Sequence, residues 1–370
     1  MKRVSLTPAV FHLPEKVNAI AREYGKQPIV PRGPLLKPIL DRVRSKLVSS
    51  IGAADSHEAV IFTSAGSGAI AAAMGSCVDE RGILIVSNGA YGERQVAFAE
   101  QLDLKVVHYA LEYGEKPDLE QIEALVQKEG VGALGLVYGA TSTCSVNPVN
   151  EIGALAHRLN LRFIVDGISA IYVEELDLKE AHIDVLISSV NKGLHAPPGM
   201  GFVIVEKSYL NLLAKQKAKI PYFDIGALWK KQASGGHLFT IDPRSLLETE
   251  AALDDLEARG GVSARIATYQ ERTQLLREGY KKLGLRIFEK EGMPLENIGT
   301  ALYLPEGIEF EALSDLLANW EENDECYEIY SAQGALSDKV FRIFNMGDYD
   351  LDTYRRFLHA LEVCLNKLSK

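Results

Sequence analysis

The 370-residue chain lacks any apolar run of 18 residues, so the sequence predicts no membrane-spanning helix. It has only 4 cysteines, Cys77, Cys144, Cys326 and Cys364, and none of them forms a CxxC pair. Scattered cysteines favour a reducing compartment, where disulfides are rare. The N-terminal segment starts with basic residues but lacks the long apolar region of a secretory signal. These absences together predict a cytoplasmic protein.

Positive charge is also scarce. The chain has 40 Lys and Arg residues against 50 Asp and Glu residues, which gives a formal net charge of −10. A nucleic-acid-binding protein would need a basic face, so no nucleic-acid partner is expected. The 8 histidines are scattered, without an HxxxH motif or a His/Cys cluster. No metal site is therefore expected.

Apolar segments alternate with helical segments through the first two thirds of the chain. Short apolar runs occur at 59–64, 82–88, 104–110, 131–139, 161–166, 183–189 and 200–206. Continuous apolar strands with helices between them indicate a mostly parallel sheet that is covered on both faces. The predicted fold class is α/β.

The pattern changes after about residue 255. A long helix is predicted at about 262–284, strands near 297–304, 326–331 and 339–345, and a last helix over 351–368. This order is typical of a smaller α+β domain. Residues 1–35 are rich in Pro and Gly and predict an extended arm. We therefore divide the chain into an N-terminal arm (1–20), a large domain (21–258) and a small C-terminal domain (259–370).

Small, polar and aromatic residues follow the predicted strands of the large domain. They occur in "AGSGA" (65–69), "GAYGER" (89–94), "ATSTCSVNP" (140–148), and at Asp166 and Lys192. Ligands of open parallel sheets bind at the carboxyl ends of the strands, so these segments should meet. The segment "AGSG" opens a helix and is a possible phosphate cradle. It lacks the third glycine of GxGxxG, which disfavours a dinucleotide.

Asp166 and Lys192 are predicted to end neighbouring buried strands, where each charge needs a partner. A carboxylate can pair with a protonated ring nitrogen, a lysine can form a Schiff base with an aldehyde, and a Gly/Ser helix start can hold phosphate. The three features together indicate pyridoxal 5'-phosphate. Each feature alone also fits an ordinary turn, a helix cap or a surface charge.

Four stretches carry a family resemblance: "VSNGAYGER" (86–94), "TSTCSVNPVNEIGALAHRLN" (141–160), "FIVDGISA" (163–170) and "IDVLISSVNKGLHAPPG" (183–199). They resemble the class V branch of the fold-type I pyridoxal-phosphate-dependent aminotransferases. Within it the chain is more similar to 2-aminoethylphosphonate–pyruvate transaminases than to alanine–glyoxylate (serine–pyruvate) aminotransferases. The resemblance implies a fold-type I architecture with a seven-stranded large-domain sheet, and a homodimer with active sites at the subunit interface.

The same resemblance implies roles for individual residues. Lys192 forms the Schiff base and then shuttles a proton, while Asp166 pairs with the pyridinium nitrogen. Tyr91 stacks on the cofactor and Thr141 lies near its phenolic oxygen. The remaining implied contacts are the phosphate loop (Ala65, Gly66, Ser67), a polar cofactor contact (Asn191), a phosphate contact from the neighbouring subunit (Thr240) and a clamp for the substrate carboxylate (Arg342).

Four positions depart from the family pattern near the substrate: Ala9, Gly68, Ala140 and Cys144. Because the cofactor residues match and these do not, the prediction is an aminotransferase whose donor stays open. The donor is a small amino compound, 2-aminoethylphosphonate-like or an amino acid, and the acceptor a 2-oxo acid such as pyruvate. Arg32 and Lys37 are either contacts for an acidic donor or solvated surface charges.

Two other activities remain open at this point. A lyase or desulfurase could use the same scaffold, and a desulfurase would need a mobile cysteine over the cofactor, for which Cys144 and Cys326 are the candidates. A non-catalytic protein on a decayed enzyme fold is the second alternative. The presence of both Lys192 and Asp166 argues against it.

Overall fold

The computed structural model describes residues 2–369. Its strands are β1 (Lys2–Ser5), β2 (His57–Thr63), β3 (Ile83–Ser87), β4 (Val106–Ala110), β5 (Ala133–Val137), β6 (Gly139–Ala140), β7 (Ser145–Val146), β8 (Arg162–Asp166), β9 (Val185–Ser189), β10 (Met200–Glu206), β11 (Gly299–Tyr303), β12 (Glu325–Glu328), β13 (Tyr330–Ser331) and β14 (Val340–Phe344). Its α-helices are α1 (Glu15–Glu23), α2 (Leu36–Ser49), α3 (Gly66–Cys77), α4 (Ala90–Gln101), α5 (Leu119–Glu129), α6 (Val149–Arg158), α7 (Lys207–Leu213), α8 (Ile225–Ala233), α9 (Pro243–Ala258), α10 (Gly261–Lys282), α11 (Phe310–Ala318) and α12 (Leu351–Leu368).

A seven-stranded sheet forms the centre of the molecule, in the order β2-β10-β9-β8-β5-β3-β4. Only β10 runs antiparallel to its neighbours β2 and β9, and the other pairings are parallel. Successive residues of a strand face opposite sides, so Ile61 enters one apolar layer and Val60 the other. Each layer is covered by helices. The prediction of a mostly parallel seven-stranded sheet with two covered faces is confirmed.

The C-terminal part has its own apolar core. An antiparallel sheet in the order β11-β14-β13 packs with α10, α11 and α12 around buried aromatic residues such as Tyr269, Phe344 and Phe357. The last helix begins where the sequence predicts, because the Asp350 side chain accepts a hydrogen bond from the Thr353 N–H and caps it. The smaller α+β unit is thus present.

The N-terminal segment is attached to this C-terminal core. β1 pairs in parallel with β12, and Val4 and Leu6 are buried among the C-terminal apolar residues. The prediction of an extended arm over 1–35 is wrong for Glu15–Glu23, which form α1 against α9. Residues 15–23 contain neither Pro nor Gly, so the composition of residues 1–35 as a whole did not describe this segment.

Candidate active site

One cleft lies at the carboxyl ends of the central strands. It is lined by side chains from the turns after β2, β3, β5, β8 and β9. Eight residues that the sequence predicts for a cofactor line it: Ala65, Gly66, Ser67, Tyr91, Thr141, Asp166, Asn191 and Lys192. The cleft lining does not include Thr240 or Arg342. The strand order therefore brings together segments that are far apart in the chain.

The N-terminus of α3 forms one end of the cleft. Ala65 is the residue before the helix and its side chain caps nothing, so the first backbone N–H groups are open to an anion. The backbone is closely packed here. A Cβ at Gly66 would lie 2.7 Å from Ile168 Cδ1, and one at Gly68 would lie 2.5 Å from Ser64 Oγ. Larger residues would push this cradle apart.

Asp166 ends β8 at the bottom of the cleft and is buried. One of its carboxylate oxygens accepts a hydrogen bond from the Ile168 N–H at 3.0 Å. Burial raises the pKa of Asp166 to about 6, while this hydrogen bond and the charges of Arg94 and Lys192 act in the opposite direction. An ionised carboxylate here would gain from a cationic partner in the cleft.

Lys192 follows β9 and is partly buried. Its ammonium group donates a hydrogen bond to the Pro8 carbonyl, and the preceding turn is held by a bond of 2.9 Å from the Ser189 hydroxyl to Asn191. Burial lowers the pKa of Lys192 to about 8. An amine with a lowered pKa has a larger neutral, nucleophilic fraction near neutral pH.

Arg94 also lines the cleft, although neither the sequence pattern nor the family resemblance gave it a role. It lies one turn after Tyr91 on α4, with its guanidinium carbon 5.0 Å from the centre of the Tyr91 ring. Within residues 2–369 it forms no ion pair. The i,i+3 spacing from Tyr91 was the signal that could have identified it.

Arg342 lies on β14 and is completely buried. Its guanidinium donates to the Ser331 carbonyl from Nε (3.1 Å) and Nη2 (2.7 Å), and to the Thr141 carbonyl from Nη1 (2.8 Å). It thereby connects the C-terminal sheet to the loop after β5. Three of the five guanidinium N–H groups are used, which leaves one on each terminal nitrogen.

Thr240 is exposed and lies outside the cleft of its own chain. Its neighbour Phe239 stacks on Tyr222 with ring centres 4.5 Å apart. A Cβ at Gly68 would lie 3.0 Å from Phe223, so this aromatic group borders the α3 cradle. The contact of Thr240 with a neighbouring subunit stays a prediction.

Cys144, one of the departures from the family pattern, has φ +52°, a left-handed conformation that glycine adopts more easily. It is completely buried, and burial raises the pKa of its thiol to about 12. The side chain is packed among the apolar residues of the C-terminal core. This thiol is therefore neither ionised nor exposed to the cleft.

Comparison with known proteins defines the class. The chain matches the family model "Aminotransferase class-V" over residues 32–220. This match covers about half of the chain, and it includes the eight predicted residues that line the cleft but neither Thr240 nor Arg342. The protein belongs to the class V aminotransferase family, and the predictions of this family and of an aminotransferase are confirmed.

The relatives are similar over most of the chain. The 2-aminoethylphosphonate–pyruvate transaminases of Salmonella schwarzengrund and Salmonella typhimurium are each 32% identical over 316 residues, which is 84% of either chain. Among solved structures, an aspartate aminotransferase from Thermus thermophilus matches with a TM-score of 0.86 at 24% identity, covering 100% of both chains. An alanine–glyoxylate aminotransferase from Nostoc sp. matches with a TM-score of 0.88 at 21% identity, covering 99% of this chain and 96% of that one. These structures confirm the fold.

Proposed function

We propose that the protein is a pyridoxal-phosphate-dependent transaminase that moves an amino group from a small amino donor to a 2-oxo acid. The observation that carries the proposal is the cleft itself. It combines an uncapped helix N-terminus, a buried carboxyl (Asp166) and a lysine with a lowered pKa (Lys192). These are the groups that a phosphate, a ring nitrogen and an aldehyde on one molecule require.

The family resemblance supports a role for each of these side chains. When bound, the cofactor would supply a ring that accepts the electron pair released at the donor carbon. Asp166 would hold the proton on the ring nitrogen, and Tyr91 and Thr141 would bind the ring and its phenolic oxygen. Lys192 would hold the cofactor through Nζ and, as a free amine, would take a proton from the donor carbon. The backbone of Ala65, Gly66 and Ser67 would bind the phosphate, with Asn191 as a further contact.

Arg342 is our candidate for the substrate carboxylate. Its two remaining N–H groups, one on each terminal nitrogen, suit a planar bidentate acceptor. The bonds to the Ser331 and Thr141 carbonyls hold the guanidinium in one orientation. Arg94 lines the cleft and is exposed, so it is our candidate for binding a distal anionic group of a donor.

The relatives named 2-aminoethylphosphonate–pyruvate transaminases make this donor and pyruvate the first pair to test. Small residues at Ala9, Gly68 and Ala140 differ from the family pattern, and Gly68 has no room for a side chain unless Ser64 moves. A screen of 2-aminoethylphosphonate and small amino acids against pyruvate, glyoxylate and 2-oxoglutarate identifies the pair. Equal rates for all donors would contradict a dedicated phosphonate enzyme.

We also infer a homodimer with Thr240 contributing to the neighbouring active site. Support comes from exposed apolar side chains near this segment, Val30, Leu35 and Leu238, which are 66%, 62% and 40% exposed. Mixing K192A and T240A protomers tests the contact, because one of the two mixed sites would contain both native residues. Cofactor affinity that stays as low as in T240A alone would contradict it.

Other properties of the chain agree with a cytoplasmic enzyme, which we also propose. The four cysteines are free and buried. No helix within residues 2–369 is long and apolar enough to cross a membrane. Immunofluorescence or fractionation of the tagged protein tests this location, and recovery in the membrane fraction would contradict it.

No observation favours the desulfurase alternative. Cys144 is buried with a raised thiol pKa, and Cys326 is buried in β12, where it pairs with Arg3. A desulfurase thiol must reach the substrate as a thiolate. Neither thiol is placed to do so.

The decisive experiment is reconstitution with pyridoxal phosphate. The purified protein should show a visible or near-ultraviolet absorbance band that disappears in K192A, and transamination should fall by at least about 10³-fold. The exposed Lys179 offers a matched control, since K179A should keep both the absorbance band and the transamination rate of the wild type. A wild-type protein that gains no band with added cofactor would refute the proposal.

A further inference from the structure

A second cavity lies between helix α10 and the turn that follows Lys192. Its volume is about 40 Å³, and its lining includes His195, Arg259, Arg265, Arg272 and Asp348. None of these five residues lines the cleft. A buried water needs roughly 10–15 Å³, so the cavity has room for one small ion with a water molecule.

Positive charge predominates around this cavity. Arg265 and Arg272 are each only 6% exposed, whereas Arg259 is about half exposed. The terminal nitrogens of Arg259 donate to the two carboxylate oxygens of Asp348 (2.6 and 3.1 Å), and its Nε lies 2.9 Å from Asp255. Three arginines thus face two aspartates, and Arg259 makes the short contacts with both.

The two buried guanidinium groups have no close carboxylate of their own. Arg272 donates three hydrogen bonds, all to backbone carbonyls within 345–349, and takes part in no ion pair among residues 2–369. Arg265 makes one hydrogen bond, to the Gly193 carbonyl at 2.8 Å, and its ion pair with Asp255 is 3.9 Å long. A buried cation is costly unless an anion pairs with it. The cavity therefore lacks one negative charge.

His195 contributes a hydrogen-bond donor that has no partner in the protein. Its Nε2 accepts from the Gly347 N–H at 3.3 Å and lies 2.8 Å from the Tyr269 hydroxyl, so the ring proton is on Nδ1. Burial, together with the three arginines, lowers the pKa of His195 well below its usual value and keeps the ring neutral. The Nδ1 proton forms no hydrogen bond within residues 2–369, although the residue is only 3% exposed.

The first turn of α10 borders the same cavity. Gly261 and Ala264 line it, and Gly260 before the helix has no side chain to cap the open N–H groups. Such N–H groups attract anions. Arg265 and Arg272 follow Gly261 by four and eleven residues, which places them on the same face of the helix. The helix terminus and the arginines therefore favour negative charge in one place.

We propose that this cavity binds one monovalent anion the size of chloride, with Arg265 and Arg272 as its charge partners. A single negative charge balances the three arginines against the two aspartates. Because Arg265 also donates to the carbonyl of Gly193, the residue after Lys192, the anion would connect α10 to the turn that carries this lysine. The inference does not depend on the proposed cofactor chemistry.

Chloride binding can be measured from the ³⁵Cl NMR linewidth of sodium chloride in the presence of the protein, with sodium gluconate keeping the ionic strength constant. Pyridoxal phosphate is present throughout, so that chloride does not enter the α3 cradle. The wild type should broaden the chloride line in a saturable way. R265Q keeps a donor for the Gly193 carbonyl but loses the charge, so chloride should bind at least about tenfold more weakly.

A264D tests the same site without removing an arginine. Ala264 lines the cavity in the first turn of α10, where an aspartate stabilises the helix and supplies the negative charge itself. This variant should stay folded by circular dichroism and lose the saturable broadening, which keeps the test valid if R265Q does not fold. R158Q is the matched control, because it removes an equal charge from an exposed arginine that pairs with Glu123. It should bind chloride as the wild type does.

Saturable broadening that is absent from the wild type, or that persists unchanged in folded A264D or R265Q, would overturn the inference. An equal loss in R158Q would overturn it too, since the effect would then be one of net charge. Phosphate that displaces chloride when it is the more dilute of the two would overturn the assignment to a monovalent anion. A protein that does not bind pyridoxal phosphate refutes the proposed function, while the difference between wild type and A264D still reports on this cavity.

Discussion

The two sides of the cleft differ in how they are built. The proposed cofactor side, formed by α3, Tyr91, Asp166 and Lys192, comes from the strand ends of one sheet. The proposed substrate side combines the loop 139–144, which lines the cleft, with residues 7–10 and Arg342, which contact Lys192 and Thr141 from outside the cleft lining. The first depends on local motifs and the second on the packing of distant segments. Departures from the family pattern at Ala9, Ala140 and Cys144 belong to the second side.

The largest effect is expected from D166N on the cofactor side. The amide keeps an oxygen that can accept from the Ile168 N–H but removes the negative charge, so it cannot stabilise a protonated ring nitrogen. The turnover number should fall by about 10²–10⁴-fold, as for other lost proton-holding groups. Steady-state kinetics with the reconstituted enzyme measures this fall. D118N, which retains a side-chain oxygen at the N-cap of α5, is the control. A fall in the turnover number of less than about tenfold in D166N would contradict the proposed role of Asp166 in stabilising the protonated ring nitrogen.

An intermediate effect is expected on the substrate side. R342K loses the planar bidentate fork, so KM for the 2-oxo acid should rise by about 10–100-fold while the cofactor absorbance band persists. R94A should instead raise KM mainly for donors with a distal anion. Initial rates with an anionic and a neutral donor separate the two arginines. Loss of the cofactor absorbance band in R342K would indicate that Arg342 is needed for cofactor binding and not for substrate binding alone.

A smaller effect concerns the stability of the cofactor-free protein. The pKa of Asp166 is raised to about 6, so the folded state binds this proton more tightly than the unfolded chain does. The contribution of Asp166 to the free energy of unfolding should therefore fall as pH rises from about 4 to 7, by on the order of 2 kcal/mol. Urea unfolding of wild type and D166N at pH 4.5 and 7.5 measures it. D166N should be the more stable relative to wild type at the higher pH, and a difference that does not change with pH would contradict this.

The same comparison explains what could be predicted from the sequence. The apolar runs identified all seven strands of the central sheet, because most of these strands are buried on both faces and need continuous apolar residues; β4, at the edge, is only partly buried. The residues that follow those strands lie at the same edge of the sheet, so the sequence was enough to predict that Asp166 and Lys192 lie close together. The last helix agreed at both ends, Leu351 and Leu368.

Other features could not be predicted, for physical reasons. The three hydrogen bonds of Arg342 to backbone carbonyls depend on how two sheets are placed relative to each other. The helix α1 was missed because the arm was predicted from the Pro and Gly content of residues 1–35, whereas residues 15–23 contain neither.

The pairing of β1 with β12 has a practical consequence for anyone who expresses this protein. Lys2 begins that pairing, and a few residues later the Pro8 carbonyl accepts a hydrogen bond from Lys192. A purification tag or fusion partner placed before Lys2 could disturb the pairing of β1 with β12 and, through it, the contact of Pro8 with Lys192. The opposite end follows α12, whose last turn is exposed in part and lines no part of the cleft. Tags belong at the C-terminus if donor specificity is to be measured on the native site.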